Sequence, residues 1–179
     1  MNDILAVLDK YLALHPEDKN RLSLLSSQLA KGEDVTIRKN FTGHVTGSGL
    51  VLSPDRKKIL LVYHKFFQRW IQPGGHIDPG DATPFDTAIR EVREETGAEG
   101  LTSLSAEEPP VPIDIDVHHI SANQAKDEPE HRHYDFRYAF IADSENIRNE
   151  DDGIAKVEWV PLEDSRIQLE PWMRTRLPR

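Results

Sequence analysis

Glu91, Glu94 and Glu95 place three carboxylates within five consecutive positions of this chain. Like charges three or four residues apart on a helix repel each other by roughly a few tenths of a kcal/mol per pair. The cluster is therefore either a solvated helix face or a site for a cation, because carboxylate oxygens are the ligands that hard divalent metal ions prefer. The sequence around the glutamates decides between these two interpretations.

The glutamates lie in a segment, residues 84–96, that is predicted to be a helix. Thr83 and Pro84 suit the N-cap and the first helical position, and Gly97 suits the C-terminal stop. At about 100° per residue, one sector of this helix holds the residues that must face the core, namely Phe85, Ala88, Ile89, Val92 and Thr96. The glutamates fall in a neighbouring sector, so we expect them along the margin where the helix meets the rest of the domain.

A loop with glycines and prolines, PGGHIDPGD, immediately precedes this helix, and glycine lets backbone groups approach a ligand closely. The loop and the glutamates together resemble the Nudix box of the Nudix hydrolase superfamily. In that box Gly, five residues, Glu and seven residues precede Arg-Glu-(aliphatic)-x-Glu-Glu-x-Gly-(aliphatic). Arg90 to Ala98 match the second half. In the first half, five residues follow Gly75 and then Asp81 stands in place of Glu, and eight residues instead of seven separate Asp81 from Arg90.

The resemblance implies a fold, an activity and a set of site residues. The fold is α+β, a layered α/β/α sandwich with a mixed β-sheet. The activity is hydrolysis of a diphosphate linkage in a nucleoside diphosphate derivative or related organic pyrophosphate, by attack of water on phosphorus with Mg2+, or Mn2+ as a substitute. The implied metal ligands are the carbonyl of Gly75 and the carboxylates of Glu91, Glu94 and Glu95. The implied catalytic residues are the same glutamates and Arg90, with Arg90 orienting a glutamate and Glu91 or a carboxylate outside the box acting as general base.

Two other functions belong to the same fold class. One is a Nudix module that senses a nucleotide such as ADP-ribose without cleaving it; degenerate glutamates would favour that function, whereas all three are present here. The other is diphosphate isomerisation. Isopentenyl diphosphate isomerases share the fold but resemble enzymes that use a catalytic cysteine, and this chain has no cysteine. The box itself does not select among diphosphate substrates.

Short runs of β-forming residues predict further strands at residues 112–120, 133–141 and 156–160. Polar side chains alternate around the first two of these, and alternate residues of a strand share a face: Asp114, Asp116 and His118, then His131, His133 and Asp135. If the two strands are neighbours, their polar residues line one surface, which is either a solvated sheet face or an extension of the active site. The candidates for a contact to substrate or to a second metal ion are therefore Asp116, His118, His131, His133 and Asp135.

Apolar residues at helical spacing on both sides of the HPED sequence predict a helical hairpin over residues 2–31. We therefore expect an N-terminal helical extension over residues 1–35, followed by a Nudix domain over residues 36–179.

The net charge of −9, from 22 basic and 31 acidic residues without a basic run, disfavours binding to a nucleic acid polymer. The apolar runs are too short to cross a membrane. With neither a basic leader nor a cysteine, the sequence favours a cytoplasmic protein. The expected partner is a small-molecule diphosphate substrate, and because related domains often dimerise, a second copy of the chain is the other expected partner.

Overall fold

The computed structural model describes residues 2–124, 127–149 and 151–167. Its helices are α1 (Asn2–Leu14), α2 (Ser23–Ala30) and α3 (Pro84–Thr96), and a 3-10 helix (Pro16–Lys19) follows α1. Its strands are β1 (His44–Leu52), β2 (Lys58–His64), β3 (Arg69–Ile71), β4 (Gly74–His76), β5 (Thr102–Ser103), β6 (Asp114–Ile120), β7 (His131–Ile141) and β8 (Ile154–Pro161).

These strands form one branched, mixed β-sheet whose main path runs β3, β2, β1, β7, β5. In addition, β4 pairs with β1, β6 with β7 and β8 with β2. β1 and β7 are parallel, and the other strand pairs are antiparallel. The prediction of an α+β fold with a mixed sheet is confirmed, and β6, β7 and β8 coincide with the predicted strands to within two residues at each end.

The acidic helix α3 begins and ends where the sequence predicts. The Thr83 hydroxyl accepts a hydrogen bond from the Asp86 amide (3.2 Å), and the Asp86 carboxylate accepts one from the Thr83 amide (3.0 Å). This reciprocal capping box satisfies two amides that have no partner within the helix. Gly97 ends the helix in the left-handed conformation, with φ of 63°.

Helix α3 packs closely against one face of β1. A Cβ atom on Gly47 would lie 2.4 Å from the carbonyl oxygen of Pro84, so glycine at this position permits the close approach of strand and helix. Of the predicted core sector, Ala88, Val92 and Thr96 are buried, while Phe85 and Ile89 are partly buried against the same cluster. Since successive side chains of a strand point to opposite faces, Thr46 and Ser48 lie on the face away from α3.

The predicted N-terminal helical hairpin is present, and it packs into the core of the sheet domain. Apolar side chains of α1 and of the segment around α2 belong to the same buried cluster as residues of the sheet: Ile4, Val7, Leu8, Tyr11, Leu22 and Leu25. Arg21 also forms an ion pair with the fully buried Asp114 of β6, at 3.0 Å. The extension is thus attached through both apolar and charged contacts. Within the described ranges, no helix is long and apolar enough to cross a membrane.

Candidate active site

Arg90 connects the loop before α3 to the carboxylates on the helix. Its guanidinium group contacts Asp81 at 2.9 Å, Glu91 at 3.0 Å and Glu94 at 2.9 Å. It also donates a hydrogen bond to the main-chain carbonyl of His76 at 2.9 Å. A planar guanidinium group has donors enough for all these acceptors. The arginine therefore fixes the loop relative to the helix and orients two of the three glutamates.

The aspartate that replaces the usual glutamate of the box reaches the arginine. The Asp81 carboxylate accepts hydrogen bonds from Arg90 (2.9 Å), from the Thr87 hydroxyl (2.9 Å) and from the Asp78 amide (3.0 Å). Its side chain is only 6% exposed. Aspartate is shorter than glutamate, and one extra residue precedes Arg90. Asp81 nevertheless contacts Arg90, so the loop remains joined to the helix.

Glu91 and Glu95 lie against the backbone of the glycine loop. The Glu95 carboxylate accepts a hydrogen bond from the Gly74 amide at 3.0 Å. A Cβ atom on Gly75 would lie 2.2 Å from Oε1 of Glu91, so only glycine leaves room for that carboxylate. Glu94 differs from both, because its side chain is 56% exposed and reaches Arg90 from the solvent side.

Burial raises the pKa of the Glu91 carboxyl to about 7 and that of the Glu95 carboxyl to about 8. Repulsion from Glu91 adds to the shift at Glu95, whereas the ion pair with Arg90 opposes the shift at Glu91. The half-buried Glu91 and the buried Glu95 carry more negative charge than Arg90 compensates, because Arg90 pairs with Glu91 and Glu94. A divalent cation would supply the missing charge, and an all-oxygen donor set suits Mg2+ or Mn2+. The residues present therefore fit such an ion.

The polar residues of β6 and β7 lie side by side, as the sequence predicts for neighbouring strands. Asp116 is opposite Asp135, and His118 is opposite His133, in the antiparallel pairing. His131, the remaining candidate, is opposite Ile120 at the same end of the pair. The five candidate residues are thus brought to one region of the sheet.

Arg137 is the charged residue of this region that the sequence prediction missed. It forms ion pairs with Asp116 at 2.8 Å, with Asp114 at 3.2 Å and with Asp135 at 3.3 Å. The same alternation that selected Asp135 also selects Arg137, two positions later on the strand face. Hydrogen bonds from His118 and the charge of Arg137 lower the pKa of Asp116 to about 2, although burial opposes the shift.

Two hydroxyls of β1 complete this face. Thr46 and Ser48 donate hydrogen bonds to the Asp135 carboxylate, at 3.1 Å and 2.8 Å. Gln72 lies 3.4 Å from the same carboxylate. Asp135 is therefore a buried acceptor held by strand and loop, and its contacts to β1 could not be read from the sequence because they depend on strand register.

A group of three histidines, His44, His76 and His133, is also present. One ring nitrogen from each lies within 4.8 Å of the corresponding nitrogens of the other two. Among the residues that the structure describes, this is the one group of three such side chains at that spacing, so Glu91, Glu94 and Glu95 do not converge to the same extent. His44 and His76 were not among the predicted site residues, because their proximity to His133 arises from pairing between distant strands.

Comparison with known families gives a match to the model described as NUDIX domain, over residues 43–179. A curated relative, the "Probable DHNTP pyrophosphohydrolase" of Lactococcus lactis subsp. cremoris (strain MG1363), is 34% identical over 96 residues, which are 52% of this chain and 51% of that protein. The chain therefore spans about half the length of the curated relative that it matches.

Solved structures give weaker similarities. The E. coli dihydroneopterin triphosphate pyrophosphohydrolase has 16% identity and a TM-score of 0.49, with 65% of this chain and 80% of that chain covered. The MutT NUDIX hydrolase from Burkholderia pseudomallei has 20% identity and a TM-score of 0.49, with 75% of this chain and 95% of that chain covered.

Proposed function

Since the chain belongs to the NUDIX family, with a match that covers residues 43–179, we propose that it is a metal-dependent pyrophosphohydrolase. It cleaves a diphosphate linkage in a nucleoside diphosphate derivative or a related organic pyrophosphate, by attack of water on phosphorus. The observation that carries this proposal is the pair of carboxylates, Glu95 buried and Glu91 half-buried, against the Gly74–Gly75 backbone, with Arg90 orienting Glu91.

Glu91, Glu95, Glu94 and the carbonyl of Gly75 are the groups that would hold Mg2+, with Mn2+ as a substitute. When bound, the ion supplies charge neutralisation at the phosphoryl oxygens and a lowered pKa for its water. Glu94 pairs with Arg90 from the solvent side, and because it is more exposed it can change rotamer at a lower cost than Glu91 and Glu95, which contact the glycine loop.

The chain's own residues orient and receive the reacting groups. Arg90 holds Glu91 through a charge-assisted hydrogen bond to Oε1, which fixes the orientation of this carboxylate against the glycine loop. A carboxylate must take the proton of the attacking water. Glu91 is the candidate within the box, and Asp135, held by Thr46 and Ser48, is the candidate outside it.

The expected partner remains a small-molecule diphosphate. We include dihydroneopterin triphosphate among the test compounds because the Lactococcus relative is named for it. A homodimer and a cytoplasmic location stay predictions from the sequence.

The test compares wild type with Glu95→Gln on a panel of an oxidised nucleoside triphosphate, dihydroneopterin triphosphate, ADP-ribose, a dinucleoside polyphosphate and a nucleotide sugar. Phosphate or mononucleotide release is measured with Mg2+ and with Mn2+ at mildly alkaline pH. Glutamine keeps the shape of the side chain but removes its charge, so we expect turnover to fall by about 100-fold or more while the thermal unfolding midpoint is retained. The matched control is Glu99→Gln, just beyond α3, because its side chain is 65% exposed and its nearest charged partner is Arg93.

Near-normal turnover in Glu95→Gln would contradict the assignment of this carboxylate. Saturable binding of a panel compound without turnover by wild type would instead favour the nucleotide-sensing function.

A further inference from the structure

We propose that His44, His76 and His133 form a binding site for a divalent transition-metal ion such as Zn2+, with a ligand set that includes none of the α3 carboxylates. This proposal does not depend on the proposed hydrolase activity. It concerns the histidine site, by which we mean these three residues.

Strand pairing brings the three imidazoles together. His44 lies directly opposite His133 in the parallel pair of β1 and β7. His76 lies opposite Thr46 in the pair of β4 and β1, which makes it a diagonal neighbour of His44 on the same face. The ring centroids are 4.6 Å apart for His44 and His133, 5.2 Å for His44 and His76, and 5.0 Å for His76 and His133.

His44 carries a buried nitrogen without a partner. Its Nδ1 lies 3.2 Å from the main-chain carbonyl of Asn40, and a carbonyl oxygen can only accept, so Nδ1 carries the hydrogen. The Nε2 atom of the neutral ring is then a bare lone pair. This atom is buried and has no hydrogen-bond partner, in a side chain that is 1% exposed. A buried acceptor without a donor is unfavourable, and a bound cation would remove that cost.

The tautomer of His133 follows from its neighbour His131. Nδ1 of His131 lies 2.8 Å from the main-chain carbonyl of Pro129, so in the neutral ring its Nε2 is an acceptor. Nε2 of His133 lies 3.3 Å from that acceptor and therefore supplies the hydrogen. Nδ1 of His133 is left as a lone pair, which is the form that a metal ion requires.

Both arrangements match what metal-binding histidines need. A metal-ligating imidazole typically donates its other ring N–H to a carbonyl or another acceptor, which fixes the tautomer and the ring orientation. His44 does this with Asn40, and His133 does it with His131. Burial also lowers the pKa of His44, and it lowers the pKa of His133 to about 2, so both rings are neutral at pH 7.

The ligand type selects the ion. Imidazole nitrogens suit Zn2+, Cu2+, Ni2+ and Fe2+, whereas Mg2+ prefers oxygen. Three histidine ligands leave a fourth position for water in a tetrahedral zinc site. The three ring nitrogens lie within 4.8 Å of one another. Bonds of about 2.0–2.1 Å to each nitrogen require these atoms to lie closer together, so the rings must rotate towards the ion when it binds.

The full chain is first stripped of transition metals. The experiment is then carried out in excess Mg2+, which is added to fill the carboxylate site. Co2+ is added as a spectroscopic probe, and Zn2+ is then used to displace it. We expect one equivalent of Co2+ to give the strong visible absorption of a nitrogen-ligated ion with fewer than six ligands. We also expect Zn2+ to remove that absorption and to raise the thermal unfolding midpoint, since an ion that binds only the folded state stabilises it.

Variants separate the histidine site from other sites. We expect each of the variants His133→Gln and His44→Gln to weaken Co2+ binding by at least about 100-fold. Loss of a residue that only orients a metal ligand weakens binding by up to about 100-fold, and loss of a ligand itself should cost at least as much. The matched control is His119→Gln on the opposite face of β6, because His119 is 55% exposed and pairs with Glu130. His119→Gln and Glu95→Gln should both keep the absorption.

The proposal is overturned if wild type shows neither the absorption nor stabilisation by Zn2+. It is also overturned if Glu95→Gln abolishes the Co2+ signal while both histidine variants keep it. The wild-type measurements decide the matter even if a variant at the buried His44 fails to fold.

Discussion

Gly75 shows how one missing side chain leaves room for the carboxylate of Glu91. The Glu91 carboxylate occupies the volume that a Cβ atom would need, at 2.2 Å from the ideal Cβ position. The atom that would have to move is the end of a flexible side chain, so the fold can adapt while the carboxylate cannot stay in place. Position 75 therefore affects the site more than it affects folding.

We predict that Gly75→Ala lowers turnover by about 10-fold or more with little change in the free energy of unfolding. Alanine displaces Glu91, and the lower entropy of the unfolded chain offsets part of the strain. The control is Gly80→Ala in the same loop, where an added Cβ meets no atom within 4 Å. Turnover and thermal unfolding of both variants test the prediction, and equal turnover in the two variants would contradict it.

Asp81 gives a prediction for the variant first half of the box. Burial raises the pKa of its carboxyl, but the hydrogen bonds from Arg90, the Asp78 amide and Thr87 lower it more, so that the pKa is below its ordinary value. Asp81→Asn should therefore lose about 1–3 kcal/mol of unfolding free energy at neutral pH. Because the pKa of the folded state is depressed, this stabilisation is present above the unfolded pKa of about 4 and is lost as the pH falls through the folded value.

Denaturant unfolding at pH 7 and at pH 3 measures this difference. Asp78→Asn is the control, since Asp78 is 65% exposed and lies 3.8 Å from Arg90. A difference between wild type and Asp81→Asn that grows towards acid pH would contradict the assignment.

At the level of helices and strands, signals from residues adjacent in sequence predict α3. The rest of the site is formed by pairing between strands that are distant in sequence. The N-cap, the N1 proline and the C-terminal glycine are adjacent in sequence to what they control, so the bounds of α3 could be predicted. The resemblance also implied that Arg90 pairs with a glutamate. His44 and His133 are neighbours only because β1 and β7 are parallel in one particular register. No periodicity in a single sequence encodes that register, so the histidine site and the contacts of Asp135 to β1 could not be predicted.

Arg137 connects neighbouring strands electrostatically. Its side chain is 16% exposed and compensates Asp114 and Asp116 on β6 and Asp135 on its own strand. We predict that Arg137→Met destabilises the fold by about 3–5 kcal/mol, because it leaves the buried Asp135 without its charged partner and Asp114 with Arg21 alone. Chemical denaturation measures this loss. Arg132→Met, at an exposed position of the same strand, is the control, and equal stability of the two variants would show that the carboxylates are compensated in another way.

Across the whole molecule, the N-terminal helices share the core and the charged contacts of the sheet domain. Tyr11 donates a hydrogen bond to Asp18 at 2.5 Å, and Arg21 pairs with both Asp18 and Asp114. Gln28 of α2 accepts a hydrogen bond from the Tyr134 hydroxyl of β7 at 2.6 Å. The segments on either side of residue 35 therefore contact each other extensively. We expect them to unfold in a single cooperative step.

Substitutions at Leu8 and Leu14 of α1 test whether the N-terminal helices and the sheet unfold together. Leu8 is 1% exposed within the shared cluster, whereas Leu14 is 57% exposed. We predict that Leu8→Ala costs about 2–5 kcal/mol and Leu14→Ala less than about 0.5 kcal/mol. Residues 1–35 contain no tryptophan, and Trp70 and Trp159 lie in β3 and β8, so the fluorescence of these two residues reports the unfolding of the sheet. Leu8→Ala should therefore lower the midpoint measured by tryptophan fluorescence and the midpoint measured by far-UV circular dichroism together. An unchanged fluorescence midpoint with an earlier loss of helical signal would mean that the helices are an independent appendage.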